Sequence, residues 1–211
     1  MENALQKDSR PNGRGEQTRD RILDAAEELF ANLGFAAARL EDVALAVGIR
    51  RASIVYYFRN KQELYEATEA RIFAALQDEC ERQLAGKNGP LERLLAIADA
   101  WLNFMVARPS AARLILRNCA DVYPGGTDPV QFSQSALHIW EQALAEGIDE
   151  GALQPVPATM LLHIIGGGIL QYASTGHLLG ENRRYQPDNP ATLEHFRDML
   201  HTTIRALLRA M

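Results

Sequence analysis

Residues 40–61 read LEDVALAVGIRRASIVYYFRNK, and this stretch decides the fold. Val43, Ala44 and Val47 fall at i, i+1 and i+4, which gives a first short helix one apolar face to dock inward. Gly48 ends that helix, because a glycine reaches the left-handed conformation a sharp turn needs and a residue with a Cβ is strained there. Ile49 then plugs the angle between two helices. Ile54, Val55 and Phe58 repeat the apolar spacing on the second helix and leave Arg50, Arg51, Ser53, Tyr56 and Tyr57 to point elsewhere. Those five side chains are rich in hydrogen-bond donors, as a groove of DNA requires. The pattern is that of a helix-turn-helix.

Charge supports the same reading. Between Val43 and Gln62 stand four bases, Arg50, Arg51, Arg59 and Lys61, and no acid, on a chain whose net charge is −5. A solvated helix face usually mixes signs, so a one-signed patch on an acidic protein is the electrostatic footprint of a phosphate backbone.

The flanks extend the pattern. An amphipathic helix carrying Ile22, Leu23, Ala26, Leu29, Phe30 and Leu33 precedes it and ends at Gly34-Phe35. Val43-Ala44, Gly48-Ile49, Ser53-Ile54, Tyr57-Phe58, Asn60-Lys61 and Leu64 follow in order. On these residues the segment 18–64 resembles the DNA-binding region of the tetracycline-repressor (TetR) family of one-component transcriptional regulators, a resemblance that covers about the first 65 of 211 residues. It implies an all-α fold, with an N-terminal three-helix helix-turn-helix domain and a six-helix ligand-binding and dimerisation domain behind it. It also implies that Arg51, Ala52, Ser53 and Tyr57 lie on the major-groove face with Tyr56 beside them. Lys61, at the start of the next helix, would grip a phosphate, helped by the free N–H groups and dipole of that helix. Arginine forks to guanine in B-DNA, so Arg50 or Arg51 is the expected base reader.

Two positions depart from the family pattern. Ala38-Arg39 stands where a Thr/Ser pair commonly opens the second helix, which removes a hydroxyl cap worth about 1 kcal/mol and leaves Arg39 as the candidate phosphate contact. Val55 stands at the usual first tyrosine of the tyrosine-x-histidine/tyrosine-phenylalanine segment, so that phosphate contact is either absent or taken by Tyr56.

A hydrophobic content of 47% with 23% charged residues is that of a globular protein rather than a disordered or membrane-spanning one. Residues 1–15, MENALQKDSRPNGRG, read as a flexible arm ahead of a DNA-binding domain at 16–62, and such an arm either lies along a minor groove or frays without a role. No apolar leader marks a signal peptide, and Cys80 and Cys119 do not make a secreted disulfide framework, so the expected compartment is the cytoplasm. An isolated thiol of this kind is more often inert than redox-active. The most apolar run, Met160 to Ala173, is interrupted by His163 and Gln171 and falls short of the ~20 residues that span a bilayer. It reads as a core or interface helix.

Past residue 66 the balance turns acidic, 12 Lys/Arg against 16 Asp/Glu, and the nucleic-acid footprint ends. Glycine and proline punctuation divides an effector-binding and dimerisation domain at 63–211 into helices at about 61–85, 91–107, 110–122, 129–147, 155–179 and 190–209, nine in all with the three before residue 60. In the fifth of these, Leu162, Ile165 and Ile169 flank Gly166 and Gly167, and glycines in a helix cost about 1 kcal/mol each relative to alanine. Close approach of a neighbouring helix would offset that cost. Phe196, Leu200 and Ile204 supply a matching stripe in the last helix. The family resemblance implies that these two helices pair across a homodimer; an intrachain core is the other account of the same stripes.

The middle helices are expected to enclose a small-molecule effector. Trp101, Phe104 and Met105 fall within about one turn, Arg113 and Arg117 at i, i+4 on the next helix, with Trp140, Tyr172 and His177 as further candidates. Arginines beside aromatics would clamp an acidic or planar ligand; alternatively the aromatics are plain core and the arginines a solvated face. The five histidines include no HExxH and no i, i+3 or i, i+4 pair, and no Walker or GxSxG motif occurs. No metal, cofactor or enzymatic activity is therefore expected. The chain reads as a homodimeric repressor that binds a palindromic double-stranded operator and is released by an effector. The rival is a helical carrier or enzyme on the same fold that has lost DNA binding.

Overall fold

A computed structural model of the chain describes residues 12–120, 133–176, 178, 180 and 184–209. Among the described residues there are nine α-helices and no strand: α1 Asn12–Ala37, α2 Leu40–Val47, α3 Arg51–Tyr57, α4 Lys61–Leu84, α5 Pro90–Ala107, α6 Pro109–Ala120, α7 Ser133–Asp149, α8 Ala158–Thr175 and α9 Pro190–Leu208. They form two compact units, Met1–Thr68 and Glu69–Met211, so the division falls inside α4.

In the N-terminal unit the apolar stripe of α1 (Ile22, Leu23, Ala26, Phe30) packs with Val43, Ala44 and Val47 of α2, and Ile54, Phe58 and Leu64 complete the core. Gly34 interrupts α1 with φ 78° and ψ 165°, which turns Phe35–Ala37 away from the helix axis. Gly48 takes φ 75° and ψ 34°, and the turn closes as a Schellman motif, with Gly48 N–H donating to Leu45 O at 3.1 Å and Ile49 N–H to Ala44 O at 3.0 Å. The Arg21 guanidinium ties α1 to the end of α2 by donating to Val47 O at 2.7 Å.

Two expectations are corrected here. Residues 12–15, read as the end of a flexible arm, are the first turn of α1. A Cβ added at Gly15 would stand 3.9 Å from the Tyr57 hydroxyl. The rest of the arm, residues 1–11, lies outside the described residues. Val55, expected in the apolar stripe of α3, is exposed; a seven-residue helix has one narrow inner face, and Ile54 and the following Phe58 fill it.

In the C-terminal unit α5 is the central helix. It is buried continuously from Leu94 to Ala98 and again at Ala100, Trp101, Leu102 and Met105, and it packs against α6, α7, α8 and α9. Helix α8 also packs on α6 and α7. Pro90 and Pro190 occupy the first turns of α5 and α9, where a missing N–H costs nothing, and the Asn189 side chain caps α9 by accepting from Thr192 N–H at 3.2 Å. Helix α8 starts at Ala158, three residues after its expected start at Pro155, because a residue before proline avoids helical backbone and Pro157 follows Val156. A polar network fastens α9 to α5. Asp99 Oδ1 accepts from Arg197 Nη1 at 2.7 Å and lies 2.9 Å from His201 Nε2, while Arg197 Nη2 donates to Asn103 Oδ1 at 2.9 Å. Among the described residues no helix is long and apolar enough to cross a membrane.

Candidate DNA interface and effector site

The exposed surface of α2 and α3 carries the basic residues. Arg50, Arg51, Ala52 and Tyr56 are exposed, Ser53 and Tyr57 are half-buried, and the two tyrosine rings meet edge to face with centroids 5.1 Å apart. Arg39 is exposed at the position preceding α2 and makes no side-chain cap, in keeping with the missing hydroxyl. All seven residues thus belong to a unit in whose core Ile54 is fully inaccessible.

Arg51 is not alone. Its Nε lies 2.6 Å from Glu41 Oε1, with both side chains 60% exposed. Glu41 went unnoticed in the sequence because it sits two residues ahead of the acid-free stretch. Helical geometry across the Gly48 turn is what brings residues ten apart into contact.

Lys61, expected to grip a phosphate, is spent differently. Its ammonium donates to the carbonyls of Phe35 at 2.7 Å, Ala38 at 3.1 Å and Ala36 at 3.2 Å, and lies 4.5 Å from the centre of the Phe35 ring. An ammonium has three N–H donors, and here all three close the frayed carbonyl end of α1 beyond Gly34. No sequence signal separates this cap from a phosphate contact, since its acceptors are backbone atoms 23 to 26 residues away. Lys61→Ala is therefore expected to destabilise the N-terminal unit by roughly 2 to 3 kcal/mol, because hydrogen bonds to a charged donor contribute more than neutral ones. Urea unfolding followed on that unit checks this. Unchanged stability with a uniform loss of DNA affinity and a shallower salt dependence would return Lys61 to the phosphate role.

The expected effector residues separate into three places. Trp101 and Trp140 are buried and meet edge to face with centroids 6.2 Å apart, and Met105 is buried one turn along α5 from Trp101. Phe104 faces elsewhere, half-buried under the Arg108 guanidinium. Tyr172 stacks between Tyr185 and Phe196, at 5.0 and 4.0 Å, and donates to Pro187 O. Arg113 is half-buried and Arg117 exposed on α6, and His177 lies outside the described residues. A cavity of about 710 Å³ opens instead among Leu91, Ala152, Leu153, Thr202, Arg205, Ala206, Leu208 and Arg209, none of them an expected pocket residue. Around the two tryptophans the polar chemistry is sparse. Burial pushes the Cys80 thiol up to about 12, offset in part by the Trp101 indole N–H, with Glu79 and Glu81 raising it slightly further. Cys80 is thus a protonated core residue near neutrality. The Trp140 Nε1 and Ser174 Oγ are buried with no hydrogen-bond partner among the described residues.

The expected interface residues divide between the core of the unit and its surface. Ile165, Gly166, Ile169, Leu200 and Ile204 are buried within the unit itself; Leu162 is half-buried, and Phe196 stacks on Tyr172. The inward arc of α8 faces α5, α6 and α7, and that of α9 faces α5, so these stripes fill the core of one chain. Gly166 does permit a close approach, but to Trp101: a Cβ there would stand 3.2 Å from the indole and 3.0 Å from Leu162. The face left over carries exposed Met160 and Ile164, with Gly167 and Gly168 opening onto free space, and Met199 is exposed on α9.

A short helix, a left-handed glycine and a basic second helix, in a chain that also carries a second, helical unit, define a helix-turn-helix transcriptional regulator. Residues 22–68 match the family model for bacterial regulatory proteins of the tetR family. The HTH-type transcriptional regulator RutR of Escherichia coli K12 is 30% identical over 156 residues, 72% of each chain, and the chain accordingly belongs to the tetR family. In fold it is similar to a TetR family transcription regulator from Marinobacter aquaeolei VT8, with TM-score 0.76 at 18% identity over 94% of this chain and 98% of that one. It is also similar to AibR, whose structure contains isovaleryl coenzyme A and operator DNA, with TM-score 0.69 at 17% identity over 92% of this chain and 100% of that one.

Proposed function

We propose that the chain is a homodimeric repressor that binds an approximately palindromic operator through α3 and leaves it when a small molecule binds the C-terminal unit. The observation that carries the DNA contact is the exposed Arg50–Arg51–Ala52 start of α3, held over the buried Ile54 by the Gly48 turn. Two copies related by a two-fold axis would read half-sites roughly one helical turn apart. The exposed Met160 and Ile164, on the same face of α8 as Gly167 and Gly168, support the pairing of two copies, because monomeric proteins rarely leave an extended apolar face wet.

For the effector, the environment of Trp101 and Trp140 favours a largely apolar molecule carrying a hydrogen-bond acceptor. The Trp140 indole N–H has no acceptor among the described residues, and an unmade buried hydrogen bond costs about 1 to 3 kcal/mol that an acceptor on a ligand would recover. A ligand acts on DNA only through its differential affinity for the two arrangements of the dimer, so tenfold weaker operator binding implies tenfold weaker ligand binding by the DNA complex.

A salt-dependent shift assay on an operator selected from randomised duplexes tests the DNA reading. Arg51→Ala is expected to cost roughly 1 to 3 kcal/mol and to relax preference at one operator position. An equal loss across all sequences would show that Arg51 touches only phosphate.

A further inference from the structure

We propose that Glu41 is a specificity-determining residue that orients the Arg51 guanidinium towards a base, an inference that rests on the reading of Arg51 as the base contact. The contact runs from Glu41 Oε1 to Arg51 Nε at 2.6 Å. Engagement at Nε takes the inner edge of the guanidinium and aims the outer edge, Nη1 and Nη2, away from the carboxylate. That outer edge is one of the forks with which arginine meets guanine O6 and N7. A free arginine on a surface samples many rotamers and must give them up on binding; one already held by a neighbour gives up fewer.

Charge makes the role of Glu41 legible. It stands in the first turn of α2 with Asp42, where the positive end of the helix dipole accommodates an acid. Yet both partners are 60% exposed, and an ion pair of that exposure contributes little to the fold. Against DNA the same carboxylate is repulsive. An acid at the margin of a basic patch therefore weakens binding to any phosphate backbone, and what it returns is orientation of Arg51, which matters only at the correct base. Removing it should move the two kinds of binding in opposite directions, which a structural role in α2 would not do.

The test compares the full-length wild-type chain with Glu41→Gln, Arg51→Ala and the double variant. The probes are the selected operator, the operator changed at the position where Arg51→Ala relaxes preference, and a duplex of unrelated sequence. Glu41→Gln is expected to lower discrimination at that position about 3- to 10-fold while strengthening binding to the unrelated duplex, a coupling of the size seen between contacting residues. The double variant is expected to discriminate no less than Arg51→Ala alone. Glu41→Gln with discrimination intact, or with all three duplexes weakened alike, overturns the inference while leaving Arg51 as a base reader. Arg51→Ala with preference unchanged at every position overturns the reading of Arg51 and this inference with it.

Discussion

Gly167→Glu is expected to separate the proposed dimer and to lower operator affinity by roughly 10²- to 10⁴-fold, the advantage that linking two binding modules confers. The substitution suits the protomer. A Cβ at Gly167 meets nothing within 4 Å, and replacing a glycine inside a helix removes a penalty of about 0.5 to 1 kcal/mol. Across an apolar interface the effect reverses, because a carboxylate desolvated against the Met160 and Ile164 face of a second copy would have no partner. The expected signature is thus a chain that keeps the helical content of the folded protomer yet sediments at half the wild-type mass. Ile164→Glu, also on exposed surface, should behave in the same way. A Gly167→Glu chain that remains dimeric would move the interface off this face.

Trp140→Ala is expected to destabilise the C-terminal unit by about 3 to 5 kcal/mol, against a total of roughly 5 to 15 kcal/mol for an ordinary domain. Trp140 is fully inaccessible, and its ring lies against the edge of Trp101 on the central helix. Truncation removes both the buried area and that contact, and α5 and α7 cannot close on the gap without disturbing α8, which packs on both. Urea unfolding followed by the emission of the remaining tryptophan, Trp101, checks the figure. A loss below about 1 kcal/mol would mean that the site collapses freely or holds water. Trp140→Phe keeps most of the volume and removes only the indole N–H, so it separates packing from the proposed role in holding an acceptor.

The helix-turn-helix was legible because its evidence is local. Val43, Ala44 and Val47, the left-handed Gly48, and the apolar Ile54 and Phe58 stand within sixteen residues, and the periodicity of each helix states which side faces inward. The starts of α5 and α9 were legible for the same reason, since proline acts on its immediate neighbours and both helices begin at Pro90 and Pro190; the start of α8 was not, because Pro157 delays it from 155 to Ala158.

Partners were not legible wherever they lie far along the chain. An apolar stripe says that a helix buries a face, and it is silent about what covers it. The stripes of Ile165, Ile169, Leu200 and Ile204 fit a second copy or an intrachain core equally well in sequence; within the chain they are buried, while Met160, Ile164 and Gly167 lie on the open face of α8. The charge of Lys61 announced an anion or any other acceptor, and only the path of the chain past Gly34 put three carbonyls within its reach. Glu41 and Arg51 carry ordinary charges until the Gly48 turn sets them 2.6 Å apart. Periodicity and turn chemistry are properties of neighbouring residues and are written in their order; the choice of contact across the fold is settled by packing among helices that are distant in sequence.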